Sequence, residues 1–191
     1  MQAFLNDPAI KAKYLGRVDA HREADQLVKG KYWEDGKGCA VGCTIHSSNH
    51  IAYETLLGIP VALARLEDAI FEGLPNERAM TWPSEFLQSI EVGKDLSLVT
   101  PKFLYWLLTT PAINPGIEHE LVKDAIGQCA AVVKIWADGG VLDKSARSAA
   151  ESAARSAAES AAWSAAWSAW SAARSAYVLM ADKLIELLKA V

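Results

Sequence analysis

The chain has 191 residues, 51% of them hydrophobic and 22% charged, with a formal net charge of -4. That is enough for one domain with a proper core, and the lack of any lysine–arginine cluster excludes a protein that neutralises a row of duplex phosphates. No apolar run approaches the roughly 20 residues of a membrane helix, no leader-type segment opens the sequence, and three cysteines, an odd number, suit a reducing compartment, so a cytoplasmic protein is expected.

Asn6-Asp7-Pro8 reads as a helix start, with Asp7 as the cap and Pro8 in the first turn, where its missing donor costs nothing. Ile10, Tyr14, Val18, His21 and either Leu27 or Val28 recur at helical spacing, and this first helix is expected to stop at Lys29-Gly30. Gly58-Ile59-Pro60 ends one helix and starts the next, with Val61, Leu63, Leu66, Ile70 and Phe71 apolar before Gly73-Leu74-Pro75. Trp82-Pro83 is expected to open a short helix through Ile90. Thr100-Pro101 opens another, carrying Phe103, Leu104, Trp106 and Leu107, and Asn114-Pro115 opens a longer one that ends at Gly139-Gly140. Nowhere do apolar and polar residues alternate over a strand's length. The expected fold class is all-α, a helical bundle with short connections between antiparallel neighbours.

Residues 1–140 form the expected ligand-binding body, and residues 141–191 a long C-terminal helix. Its run from Ser145 to Tyr177 repeats Ser-Ala-Ala-x and contains neither Gly nor Pro. Arg147, Glu151, Arg155 and Glu159 alternate in charge at i,i+4, each pair contributing about 0.2–0.5 kcal/mol. Four residues advance about 400°, so the repeat drifts round the helix until two short units reset its phase. Trp163, Trp167, Trp170, Arg174 and Tyr177 then share one aromatic seam. A single helix of this kind would reach about 70 Å, against a radius of gyration of about 16 Å for a compact chain this size. The seam therefore calls for a covering partner, and a homo-oligomer is expected.

The chemically dense stretch is Tyr32 to His50. Its C-x3-C-x2-H-x3-H spacing suits the donors of a zinc site, with thiolates and imidazoles as the usual tetrahedral ligands. On one continuous helix, however, Cys39, Cys43, His46 and His50 would spread along about 16 Å of axis, too far to meet at one ion. A metal can instead take His46 and His50 with a further ligand such as His21, Asp25 or His119. Alternatively Gly38 and Gly42 break the helix, or the cysteines and histidines simply pack and hydrogen-bond. The stretch also suits a polar ligand. Gly36-Lys37-Gly38 permits close backbone approach, and Lys37 and the following amides favour an anion. Ser47 and Ser48 offer hydroxyls, and Tyr32 and Trp33 offer flat faces for a base or sugar. It is no Walker A motif, because Lys37 does not end the glycines. Glu67, Asp68 and Glu72 read as solvated surface on an amphipathic helix, and no nucleophile elbow is present.

The stretches GKGCAVGCTIHSSNH and ALARLEDAIFEGLP, followed by KFLYWLL, resemble proteins of tailed bacteriophages and bacteria over about residues 30 to 110. The Ser-Ala-Ala-x tail is similar to the repeats of bacterial proteins described only as immunity proteins. The resemblance carries no catalytic residue. It implies a bacterial host cytoplasm and a counter-defence role, including sponges that sequester nucleotide-derived immune signals. The leading expectation is a non-enzymatic binding protein for a small nucleotide-like ligand, with a site made of Tyr32, Trp33, Lys37, Gly38, Cys39, Cys43, His46, Ser47 and His50 and no cofactor. The alternatives are a metal-dependent enzyme on a phosphorylated nucleotide, with zinc on His46 and His50 assisted by Asp25 or Glu54, and a purely structural assembly module.

Overall fold

The computed structural model describes residues 1–113, 120–146, 148, 152 and 170–191, and these are mainly helical. They divide into two compact units, residues 1–97 with 180–191, and residues 98–179. That division does not coincide with the boundary at residue 140 expected from the tail's composition. No helix among the described residues is long and apolar enough to cross a membrane.

In the first unit, α1 spans Pro8–Glu23, capped by Asp7, whose Oδ1 accepts from the Ala9 amide at 2.8 Å. It does not continue to Lys29-Gly30. Asp25 adopts a left-handed φ of 54°, and the Gln26 amide turns back to the His21 carbonyl at 2.9 Å. Leu27 and Val28, which continue the helical spacing in sequence, lie instead in an extended segment beside Gly38. The Val28 amide donates to Gly38 O at 2.9 Å and the Gly38 amide to Gln26 O at 3.1 Å.

A small hairpin follows, β1 (Trp33–Glu34) and β2 (Lys37–Gly38), with Trp33 opposite Gly38 and Glu34 opposite Lys37. Its turn is Asp35-Gly36, both at positive φ (50° and 76°), the two-residue connection whose twist matches paired strands. Two-residue strands are too short for alternation to register, and the hairpin went unforeseen for that reason.

The hairpin lies across α2 (Ala40–Ile45), every residue of which is buried. Gly42 makes this crossing possible: a Cβ there would overlap the Tyr32 carbonyl oxygen. Neither Gly38 nor Gly42 breaks the segment. The break falls at His46, which closes α2 in the left-handed conformation, and α3 (Ala52–Leu57) then ends at Gly58.

Next come α4 (Val61–Gly73) and α5 (Asn76–Ser89). The expected start at Trp82-Pro83 is wrong, because α5 begins after Pro75 and runs through Pro83. Burial of Trp82, Phe86 and Leu87 and the bond from Trp82 Nε1 to Glu67 O at 2.9 Å offset the one backbone donor that proline lacks.

In the second unit, α6 (Val99–Thr109) packs on α7 (Glu120–Ala137). The predicted opening of that helix at Asn114-Pro115 and the candidate ligand His119 lie outside the described residues. So do Arg147, Glu151, Arg155, Glu159, Trp163 and Trp167, and with them most of the charge ladder and the seam. The helix α8 (Trp170–Lys189) gives its second half to the first unit. There Met180, Ala181, Leu184 and Leu188 are buried, and Arg78 pairs with both Asp182, at 3.2 Å, and Glu85. Each buried leucine contributes about 1.5–3 kcal/mol. The end of the chain is core, so truncation from Lys144 onward would open the first unit as well as remove the repeat.

Candidate functional site

The hairpin and α2 set two layers of polar side chains side by side. The outer layer is built from α1, the hairpin and the end of α2. His46 lies flat on Trp33, with ring centroids 4.5 Å apart and planes 11° from parallel. His21 stands edge-on to both rings. His21 Nδ1 faces Gln26 Oε1 at 2.5 Å and its Nε2 faces His46 Nε2 at 2.7 Å. With the His21 Nδ1–H donating to Gln26, its Nε2 accepts the Nε2–H of His46, so two neutral rings satisfy one another. Burial lowers the His46 pKa, and the nearby Arg17 guanidinium and His21 lower it further. The His46 imidazole is accordingly a hydrogen-bonding group at neutral pH rather than a charge. Arg17 is held in place by its bond from Nη1 to Thr44 O at 3.0 Å.

The inner layer lies under Tyr32, where α2, the turn after it, α3 and α4 meet. Glu67 is fully buried and accepts the Tyr53 hydroxyl at 2.7 Å through Oε2. Its Oε1 has no hydrogen-bond partner, and neither has Asp68 Oδ1. Burial drives the Glu67 pKa well above the carboxylate range; the Tyr53 bond opposes that shift and Asp68 adds to it. Burial, with Glu67 beside it, also holds the Tyr53 hydroxyl in its protonated form.

His50 Nδ1 stands 3.2 Å from Ser48 O and Nε2 stands 3.3 Å from Asp68 Oδ2, while Tyr32 sits edge-on to the ring at 5.7 Å. Cys39 caps α2, accepting the Gly42 amide at 3.5 Å. Its thiol pKa is pushed far up, by burial first and then by Asp68. Cys43 faces the other way, towards Gly38 O at 3.3 Å and Gln26 O at 3.5 Å, and burial raises its pKa to about 11. Both thiols are protonated at neutral pH, so neither is an activated nucleophile.

The predicted site residues thus separate into groups. Trp33 joins His46 through His21, and Tyr32 joins His50 through Asp68. His46 and His50 do not share a helical face, because α2 ends between them. The Gly38 amide is taken by Gln26 O and the Cys39 amide by Lys31 O at 2.7 Å, so neither serves the anion expected at this turn. Lys37 is exposed on β2. Ser47 Oγ accepts the Asn49 amide at 3.1 Å and stiffens the turn. Of the proposed metal assistants, Asp25 lies on the exposed turn after α1, and Glu54 is spent in accepting the Val61 amide at 3.0 Å.

Glu67 and Asp68 were expected on solvated surface, and the structure buries them. Helical phase carried a signal: Glu67 lies four residues after Leu63 and three before Ile70, on the apolar stripe of α4. A shallow groove of about 480 Å³ elsewhere on this unit, lined by Leu27, Val28, Lys29, Asn76, Glu77 and Met80, contains none of the predicted residues. No family model matches the chain, and comparisons with curated proteins and with solved structures find no match either.

Proposed function

We propose that this chain is a non-enzymatic binding protein that sequesters a small nucleotide-like molecule where the hairpin crosses α2. The observation that carries the proposal is Tyr32, 60% exposed with its ring beside His50, on the same hairpin that presents Lys37 to solvent. A flat face, a point charge and the neutral imidazole of His46 are three complementary ways of gripping a ring, a phosphate and a sugar or amide edge. Trp33 already carries His46 on one face, so Tyr32 takes the stacking role. The carboxyls beneath Tyr32 repel an anion, which directs the phosphate towards Lys37 and the donor-bearing edge of the ring towards His50 and Asp68. The resemblance to phage proteins supplies the setting, a sponge for a nucleotide-derived immune signal.

The purified protein is expected to carry absorbance at 260 nm, and cyclic and ADP-ribose-type nucleotides titrated by calorimetry are expected to include a binder. Tyr32→Ala and Lys37→Ala should each weaken that binder at least about tenfold, the equivalent of one aromatic stack or one well-placed charge. If no nucleotide of either type binds, the proposal fails. Assembly through the tryptophan seam is a separate proposal drawn from the sequence. Trp163→Ala with Trp167→Ala should convert an oligomer to a monomer in light scattering, and an unchanged mass would remove the seam from assembly.

A further inference from the structure

We propose that Cys39, His50 and Asp68 form a binding site for one zinc-class divalent ion, separate from the nucleotide proposal and independent of it. The His50 ring is the starting point. A carbonyl can only accept, so Ser48 O fixes the proton of the ring on Nδ1, and Nε2 turns its lone pair to the Asp68 carboxylate at 3.3 Å. Two lone pairs do not hold one another, so a positive centre belongs between them. The spacing is long for an imidazolium–carboxylate bond, which runs about 2.7–2.9 Å. It fits the edge of a zinc tetrahedron, whose nitrogen and oxygen ligands, each about 2.0–2.1 Å from the ion, stand about 3.3–3.4 Å apart. An imidazole whose second nitrogen donates to a backbone carbonyl is the arrangement that orients metal-ligating histidines.

The surroundings point the same way. Cys39 interacts with Asp68 and Glu67, and the second oxygen of Asp68 and one oxygen of the fully buried Glu67 lack partners. A thiolate and one carboxylate neutralise a divalent ion, which makes burial of the whole set tolerable where the bare carboxylates are not. Thiolate plus imidazole selects zinc-class ions over magnesium or calcium. A water in the fourth position would give Glu67 Oε1 the donor it lacks. Among the described residues no three such donors already surround one point. Occupation therefore requires the Cys39 thiol, which leans on Tyr32 O at 3.6 Å, to turn towards Asp68. The ion would tie the N-cap of α2, the turn after α2, and α4 together.

The test uses the full chain stripped with EDTA. Zinc titrated against a chelating dye should load one ion per chain, and cobalt in its place should give the strong visible bands of a tetrahedral site with a thiolate charge-transfer band. Cys39→Ser should abolish the charge-transfer band, and His50→Gln or Asp68→Asn should weaken uptake at least about tenfold, while His21→Gln leaves it unchanged. Circular dichroism reports whether each variant is folded; where Cys39→Ser is not, the cobalt spectrum of the unmodified chain decides. No uptake overturns the proposal. So does a cobalt spectrum without a thiolate band, or uptake that survives His50→Gln and is lost in His21→Gln, which would place the ion on the outer histidine pair.

Discussion

The outer and inner layers are made from the same stretch of chain and end in opposite states. In the outer layer His21, Gln26, His46 and Trp33 complete one another's hydrogen bonds and ring contacts beside solvent. In the inner layer Glu67 and Asp68 are buried with one oxygen each left over. An exposed polar cluster can borrow water for whatever its neighbours do not supply. A buried one cannot, and an unmatched oxygen there costs about 1–3 kcal/mol. The outer layer is therefore suited to exchanging contacts with a passing ligand, and the inner layer to holding something more permanently.

The widest break in this contrast comes from Gly42→Ala. Its Cβ would overlap the Tyr32 carbonyl and lift the hairpin from α2, disturbing both layers at once. The expected loss is about 3 kcal/mol in urea denaturation, the upper range for overpacking against rigid backbone. Tyr53→Phe separates the layers: it leaves both oxygens of Glu67 unmatched and should cost about 1–3 kcal/mol, with no change in the outer ring contacts seen by NMR.

Glu67→Gln sharpens the contrast through pH, in protein kept free of metal. The folded state holds the Glu67 proton to higher pH than the unfolded chain, where glutamate titrates near about 4.3. Above that value the folded state binds more protons, so stability falls as pH rises towards the folded pKa and is level beyond it. The variant should lack this slope and be the more stable of the two at neutral pH. An unchanged slope would mean that Glu67 is ionised in the fold.

His46→Gln should have the smallest effect, within about 0.5 kcal/mol at pH 8, as expected of an exposed side chain. The His46 shift is downward from 6.5, so its contribution is present above that pH and is lost as pH falls through the folded pKa. The variant should soften the acid limb of the stability profile, where Glu67→Gln acts on the limb above about 4.3.

Much of the fold was legible in the residues. The Asp7-Pro8 start, the stop at Gly58 and the start at Thr100-Pro101 hold because caps and prolines act within a few residues of themselves. Less of the site was legible. Tyr32, Trp33, His46 and His50 do gather near the hairpin, but the partners that give them meaning, His21 and Asp68, come from α1 and α4. Leu27 and Val28 kept a helical rhythm outside any helix, because apolar spacing says that a residue is to be buried and not which element buries it.

The sequence by itself determined the helical class, the sites of chain reversal and a dense polar segment between residues 32 and 50, since propensity, capping and spacing are local properties. Only the tertiary structure decided that Glu67 and Asp68 face inward beneath that segment, and that His46 and His50 serve different layers. A helix's phase tells which side chains share a face. Whether that face meets water or protein depends on segments far away in the chain, and with it whether a carboxylate is solvated or left short of a partner.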